Sequence, residues 1–364
     1  MINDADLGTA SGAAGPPHGS RSLPRVEVDS YNAELRDQDG SFIGDRASNR
    51  AFHAIIEDWR DCLQQATGPA SDPLGERSSH DIGRRGLDQI LHGSDLEAAG
   101  LVLGAIEHFA QDFTGVVCRF LRHEGWQGTQ RIVVGGGLLE TRLGQLAVGR
   151  AGVLLKARGV DLPLVPIRHH PNEAGLIGAA HLVSRELVDG YDGFAAVDIG
   201  GTNIRAGIIA GHVEQARDFS RAAVWRSTRW QYREDGAPSR DAAAERIIGL
   251  LLELIAQAES EGLTVAPYVG LGCPGMIAAD GTIERGGQNL PGNWECDHFN
   301  LPALIQEVLP EIGGRPAIVL MHNDAVVQGL SQLPFMQDVD RWGILTIGTG
   351  LGNARFTNRR PGGA

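Results

Sequence analysis

Apolar residues recur at intervals of three and four through Ile106, Phe109, Ala110, Phe113, Val116, Val117, Phe120 and Leu121. That is the spacing of a helix face turned toward a core, and it predicts a helix over 95–123. Shorter stretches of the same period predict helices over 48–65, 141–157 and 173–184, and one that Ser239 caps before Asp241 and that ends near 261. Another helix opens at Ala325 and runs to Leu330. Compact apolar runs closed by glycine or polar turns predict strands at 131–134, 162–167, 194–197, 269–273, 318–321 and 341–347. Residues 204–209 and 353–357 read as the returning strands of two hairpins, and 212–219 as a third strand. Residues 25–42 read as one or two strands around Asp39-Gly40, and the Arg- and aromatic-rich stretch 224–238 as a loop beside a cleft.

Strands and helices alternate, and the pattern restarts near Phe194. Two α/β lobes follow from that repetition. The expected division is a larger, discontinuous lobe of residues 25–170 with 325–364, and a smaller lobe of residues 171–324. Residues 1–24 are rich in Gly, Ala, Ser and Pro and read as a flexible tail.

Composition narrows the function. The 364 residues carry a formal charge of −13, and no long Lys/Arg run interleaves with aromatics. A nucleic-acid surface is not expected, because phosphate neutralisation needs clustered cations. The four cysteines, Cys62, Cys118, Cys273 and Cys296, form no CxxC pair. Reduced thiols in the cytoplasm are expected, with no zinc site. The apolar runs are too short to span a membrane, and no signal peptide is seen. Fifty glycines are many, and they cluster where strands end.

Those clusters carry the candidate chemistry. Asp198-Ile-Gly200-Gly201-Thr202-Asn203 is a strand end, a glycine turn and a returning strand. Successive N–H groups of such a turn converge into a nest for an anion, Thr202 adds a hydroxyl, and Asp198 stands where a carboxylate holds Mg²⁺, directly or through water. A plain hairpin whose aspartate bonds backbone amides explains the same residues. Gly348-Thr349-Gly350-Leu351-Gly352 repeats the logic after a second strand. It is not a dinucleotide fingerprint, because a strand and not a helix follows. Gly135-Gly136-Gly137 closes a third strand, where a base or ribose can approach the backbone or where the chain simply turns into a helix. His322-Asn323-Asp324 ends a fourth strand. A carboxylate there can take the proton of an attacking hydroxyl, and an Asn-Asp pair is also an ordinary helix cap.

Together these segments resemble the ROK family of sugar kinases and sugar-responsive repressors, within the hexokinase/actin-like superfamily. Val197 to Gly207 is similar to the family's first phosphate motif and Leu345 to Gly352 to its second. Gly272-Cys-Pro-Gly275, Asn289-Leu-Pro-Gly292 and Asn323-Asp-Ala325 resemble the segments between them. Gly44 to Ser48 faintly resembles the segment after the family's zinc loop, Ile132 to Gly137 its adenosine motif, and Asn172 to Ala180 its closing helix. The similarity covers roughly residues 25–360, with the second half of the family pattern ahead of the first.

The resemblance implies an actin-like ATPase (ribonuclease H-like) fold, duplicated into two lobes and circularly permuted. It implies ATP with Mg²⁺ as cofactors, a small sugar as substrate, and Asp324 as general base. Asn323, Asn289 and Gly275 would bind the sugar. Asp198 would assist Mg²⁺, and the glycine clusters would hold ATP. The family's Glu-x-x-His sugar clamp and Cys-rich zinc loop are absent. Asp29, Asn32 and Asp45 are the polar residues left in that stretch. No helix-turn-helix segment precedes the motifs, which disfavours a repressor. A non-catalytic ATP or sugar sensor of the same fold stands as the alternative, and homodimerisation is left open.

Overall fold

The computed structural model describes residues 16–68, 71–236, 238–296 and 298–359. Two five-stranded sheets organise them. The first contains β1 (Val26–Tyr31), β2 (Arg131–Gly135), β3 (Leu164–Pro166), β13 (Arg341–Ile347) and β14 (Leu351–Asn358), in the order β1-β14-β13-β2-β3. The second contains β4 (Gly193–Ile199), β5 (Ile204–Ala210), β6 (Ala223–Trp230), β7 (Val265–Cys273) and β12 (Ile318–Asn323), in the order β12-β7-β4-β5-β6. Two short ribbons, β8 (Met276–Ile277) with β9 (Ile283–Arg285) and β10 (Glu311–Ile312) with β11 (Arg315–Pro316), decorate the second sheet.

The two sheets share one pattern. In the second, β4, β5 and β6 form an antiparallel meander, then β7 and β12 add in parallel on the other side of β4. In the first, β13 takes the place of β4, β14 that of β5 and β1 that of β6, while β2 and β3 add in parallel. The outer strand β1 therefore completes a meander whose first two strands lie more than 300 residues away in sequence. Val26 sits opposite Asn358, and the Arg359 N–H donates to the Arg25 carbonyl at 2.9 Å. The ends of β14 and β1 meet as two arms of a hairpin do.

Helices fill the matching positions. α1 (Asn49–Thr67), α2 (Ser79–Leu91) and α3 (Leu96–Arg122) separate β1 from β2, and α4 (Arg142–Ala157) separates β2 from β3. α6 (Arg240–Ser260) and α7 (Leu301–Val308) do the same for the second sheet. The predicted periodic face of α3 is buried from Ile106 to Phe120, and Asp95 caps the helix by accepting the Glu97 and Ala98 N–H groups at 3.0 Å each. β4 and β7 are buried along their whole length, as central strands covered on both faces must be, so they read as continuous apolar runs.

Helices α5 (Pro171–Gly178) and α8 (Asp324–Leu330) follow the last strand of each sheet and pack on one another between the sheets. Their backbones nearly touch: a Cβ on Gly178 would fall 1.7 Å from the Val327 carbonyl oxygen. Ala174, Leu176, Ile177, Val326, Val327 and Leu330 join this pair to the inner faces of both sheets in one continuous core.

Several elements depart from the sequence reading. The third strand of the second meander is Ala223–Trp230, inside the expected loop, and residues 212–219 form turns. As an outer strand it exposes most of its side chains, so no apolar alternation marks it. α2 and α7 are not foreshadowed by the sequence pattern. α2 is broken at Gly83 (φ 68°), which disrupts its periodicity. The helix expected over 173–184 ends at Gly178 and tightens into a 3₁₀ turn over Ala179–His181. Of the tail expected over 1–24, residues 1–15 lie outside the described residues. The remainder is docked: the Gly19 N–H donates to the Met321 carbonyl, His18 Nδ1 accepts the Met321 N–H, and Leu23 is buried. No helix among the described residues is long and apolar enough to cross a membrane.

Candidate active site

The glycine turns end strands of two different sheets, yet they open on one cavity of about 280 Å³ between them. Gly200, Gly201, Thr202 and Asn203 line it after β4, and Gly348, Thr349, Gly350 and Gly352 after β13. Gly136 and Gly137 line it after β2, together with Asp198, Asp324, Asn289 and Gly275. Gly135 does not reach the cavity, because its open side faces Ile167 and Gln328. Asn323 is also absent from the lining. Its Oδ1 accepts the Ala325 and Val326 N–H groups at 3.0 and 3.3 Å, and its Nδ2 donates to the Gly275 carbonyl at 3.0 Å. That amide is spent on capping α8 and fixing Gly275, so the sugar-holding role expected of Asn323 is not what its contacts show.

The turns are close together. A Cβ on Gly201 would lie 3.3 Å from Asn289 Cβ and 3.9 Å from Thr349 Cβ. Gly136 has φ +88°, and a Cβ there would fall 2.4 Å from the Ile347 carbonyl oxygen, so only glycine lets the β2 turn meet the end of β13. Internal bonds hold the first two turns, from the Gly200 N–H to the Asn203 carbonyl and from the Gly348 N–H to the Gly350 carbonyl, both 2.9 Å. Among the described residues the N–H groups of Gly201, Thr202, Thr349 and Gly350 have no protein acceptor. Free N–H groups at adjacent positions of a turn are what an anion nest requires.

Two carboxylates stand beneath the turns. A Cβ on Gly272 would be 3.6 Å from both Asp198 Oδ1 and the Asp324 Cα, so this glycine of β7 separates the two acids. Asp324 keeps a little surface, open to the cavity. Its pKa is pushed up to about 7, by burial first and then by the negative charge of Asp198. Asp198 is buried and likewise raised by burial, opposed by Arg205, which faces it across the β4–β5 pair and donates to Oδ2 at 3.4 Å. Between them, burial and both carboxylates push the Cys273 thiol well up. His322 beneath Asp324 is neutral, its pKa lowered to about 4 by burial. Its Nδ1 accepts the Asn323 N–H at 2.7 Å, so Nε2 carries the proton that goes to the Ser20 carbonyl at 3.1 Å.

Several groups in or beside the cavity were given no role from sequence. Tyr232, in the stretch read as a loop, is buried, and its hydroxyl lies 3.1 Å from both the Gly200 and Asn289 carbonyls, tying the first turn to the Asn289 loop. Arg84 follows the break at Gly83 and reaches the third turn: a Cβ on Gly137 would fall 2.3 Å from its Nη1. No ion pair engages Arg84 among the described residues. No helical periodicity over 79–91 pointed to it. Asn49 opens α1 and donates its N–H to the Gly348 carbonyl at 2.9 Å.

Of the three polar residues left in the clamp stretch, one reaches the cavity. Asn32 (φ 49°) lines it, fixed by a 2.9 Å bond from the next residue's N–H to Asn353 Oδ1 and a 3.0 Å bond from its own N–H to the Asn353 carbonyl. Asp29 is bound to Arg355 and Thr357, and Asp45 lines a separate surface groove.

Four buried polar atoms of the cavity lining have no partner among the described residues: Asn32 Nδ2, Asn49 Oδ1, Arg205 Nε and Gln328 Oε1. Unpaired buried polar groups are costly, and their concentration around one cavity marks a place where a polar ligand supplies the missing bonds.

Comparison with known proteins gives only partial matches to solved structures. No family model matches the chain, and no curated protein does. Among solved structures, a ROK family glucokinase from Streptomyces griseus in complex with glucose and AMPPNP matches at 24% identity, over 46% of this chain and 46% of that one, with a TM-score of 0.32. A ROK hexokinase from Thermus thermophilus matches at 22% identity, over 47% of this chain and 49% of that one, with a TM-score of 0.28. The chain thus spans about half the length of the solved structures it matches.

Proposed function

We propose that this protein is an ATP-dependent sugar kinase with an actin-like, two-lobed fold, in which Asp324 takes the proton of the attacking sugar hydroxyl. The observation that carries the reading is that three glycine turns from two sheets and an aspartate with pKa about 7 line one cavity. A general base works best when its pKa lies near the working pH, and an ordinary surface carboxylate is far too acidic for that. The four unpartnered polar atoms and the free N–H groups fit a polyanionic, hydroxyl-rich pair of ligands.

In this reading the free N–H groups of Gly201, Thr202, Thr349 and Gly350 hold phosphate oxygens. The Gly136–Gly137 turn lies against the nucleoside, with Arg84 beside it. Asp198 orients Mg²⁺, directly or through water. ATP with Mg²⁺ supplies the transferable phosphoryl group and neutralises its charge. The protein's own contribution is positioning: Asn289, Gly275 and Asn32 face the acceptor, and Asp324 opens on the same cavity, where closure expels water. Coupled ADP release with Mg²⁺-ATP and a panel of hexoses and amino sugars tests the reading. Turnover above the sugar-free rate with at least one of them is expected, and an unresponsive panel would defeat it.

One observation favours a second reading, a sensor that binds nucleotide or sugar without transfer. Of the residues left where the family clamp is expected, only Asn32 reaches the cavity, and it brings no carboxylate. Saturable ATP binding with no ADP formed from any sugar is the outcome that selects it.

We further propose that the chain order is a circular permutation of a duplicated ancestor. The matching strand patterns and the hairpin-like meeting of Asn358 with Val26 support it. Permutation is tolerated where the joined ends adjoin and the new cut is exposed. A chain in which residue 25 follows residue 359 through a short turn, opened instead at exposed Asp189-Gly190, is expected to keep the circular dichroism spectrum and a cooperative melt. A non-cooperative melt would count against the proposal.

A further inference from the structure

A second cavity, of about 450 Å³, opens away from the glycine turns and is built from three separate places in the fold. Pro24 and Arg25 lead into β1, residues 183–186 belong to the crossing from α5 to β4, and Arg217, Asp218 and Phe219 form the turn between β5 and β6. In a chain of net charge −13, three arginines, Arg25, Arg185 and Arg217, gather here against two acids, Glu186 and Asp218.

Asp218 attracts Arg25 at longer range, but little of this charge is paired at contact distance. Among the described residues, no hydrogen bond or ion pair engages the guanidinium of Arg25 or of Arg217. Arg185 shares Asp189 at 3.5 Å, but its Nε is buried without an acceptor. Asp218 is occupied by the Ser220 N–H and hydroxyl. The decisive group is His181. It lines the cavity, is 4% exposed, packs edge-on against the Phe219 ring at 5.4 Å, and its Nε2 has no partner. Phe219 itself is held at φ 63°, a conformation a bulky side chain rarely adopts.

We infer that this cavity binds a small oxyanion, a phosphate ester or a carboxylate, whose head is taken by Arg25, Arg217, Arg185 and His181 and whose organic body rests on Pro24, Val183 and Phe219. Burial first, then the neighbouring Arg25 charge, keep His181 neutral against the opposing pull of Asp218. In its Nε2–H tautomer the neutral ring would donate one hydrogen bond to the anion without adding a fourth charge. Arginines supply paired donors that match carboxylate and phosphate oxygens. The occupant would touch elements of both sheets and the crossing between them. This site is independent of the kinase reading and stands or falls separately.

Isothermal titration calorimetry with phenyl phosphate and with benzoate tests it. The wild-type chain is expected to bind at least one of the two, and which one binds assigns the head group. Arg217→Ala and Arg25→Ala are each expected to weaken binding about tenfold or more, the loss of a charge-assisted bond. Asp198→Asn, a change in the central cavity, is expected to leave the affinity within about twofold, on the additivity of distant sites. Arg217 is exposed, so its replacement leaves the core intact. As a check needing no folded arginine variant, the imidazole ¹⁵N signals of His181, identified by their loss in His181→Gln, should shift in the wild-type chain on saturation. Absence of binding to both probes, undiminished affinity in both arginine variants, a loss as large in Asp198→Asn, or an unmoved His181 signal would each overturn the inference.

Discussion

Replacing Asp324 by asparagine is expected to lower sugar-dependent ADP release by about 10²–10⁴-fold while leaving the dissociation constant for Mg²⁺-ATP within a few-fold. Asparagine keeps the shape and the place at the start of α8 but cannot accept the proton. The same variant should melt at a higher temperature at pH 8. A carboxyl whose pKa is raised in the folded chain favours folding most when protonated. Its ionisation therefore costs stability as pH rises from the ordinary carboxylate range through about 7. Above pH 7 the wild-type chain bears that cost in full, and the negative charge of neighbouring Asp198 adds to it. The stability advantage of the variant should shrink as pH falls and vanish below about pH 4. Activity should follow the opposite course, rising toward alkaline pH with a midpoint near 7. Full turnover by the variant would remove Asp324 from the chemistry, whereas a melting temperature unaffected at pH 8 would show that its ionisation is not strained.

Gly178→Ala should destabilise the fold by roughly 2–4 kcal/mol, because a new methyl group would have to occupy the position of the Val327 carbonyl, 1.7 Å away. Neither partner is the end of a flexible side chain, so relief requires separating α5 from α8. The variant's own control is Gly149→Ala on the exposed face of α4, where a Cβ meets nothing within 4 Å. There the same substitution should stabilise by about 0.5–1 kcal/mol through helix propensity. Denaturant melts of the two variants should move in opposite directions. Parallel shifts would mean that helix propensity, and not backbone proximity, decides both.

The central strands and the α3 face were legible because burial on both sides, or on one stripe, leaves a direct imprint on residue type. Asp198, Asp324 and the glycine turns were legible because a tight turn at a strand end demands glycine, and glycine is conspicuous. β6 was not, since an outer strand with Arg226, Ser227, Thr228 and Arg229 facing solvent has little reason to alternate. α2 was not, since a glycine break divides it into segments too short for a period to emerge, and Arg84 went unnoticed with it. Asn323 and Tyr232 show a subtler limit. The first was read as a sugar ligand and the second only as part of an aromatic-rich loop, but whether an amide or a phenol faces a ligand or the backbone depends on which carbonyls the fold delivers to it. Here the carbonyls of Gly275, Gly200 and Asn289 decide the matter. The unpaired atoms of Asn32, Asn49 and Gln328 could not have been read from sequence, because having no partner is a property of a place.

The chain passes from one sheet to the other through α5 and again through α8, and these two passages lie backbone against backbone at Gly178 and Val327. Sliding one half along the other would have to drag a peptide group across a carbonyl, with no side chain between them to flex. Rocking about the line of contact asks only for small changes in the loops leaving each helix. Any tightening of the cleft around an occupant is therefore expected to be angular, with the largest travel at the outer strands β6 and β1 and almost none at Asp324, which sits beside the pivot. A base placed there keeps its aim while the walls move.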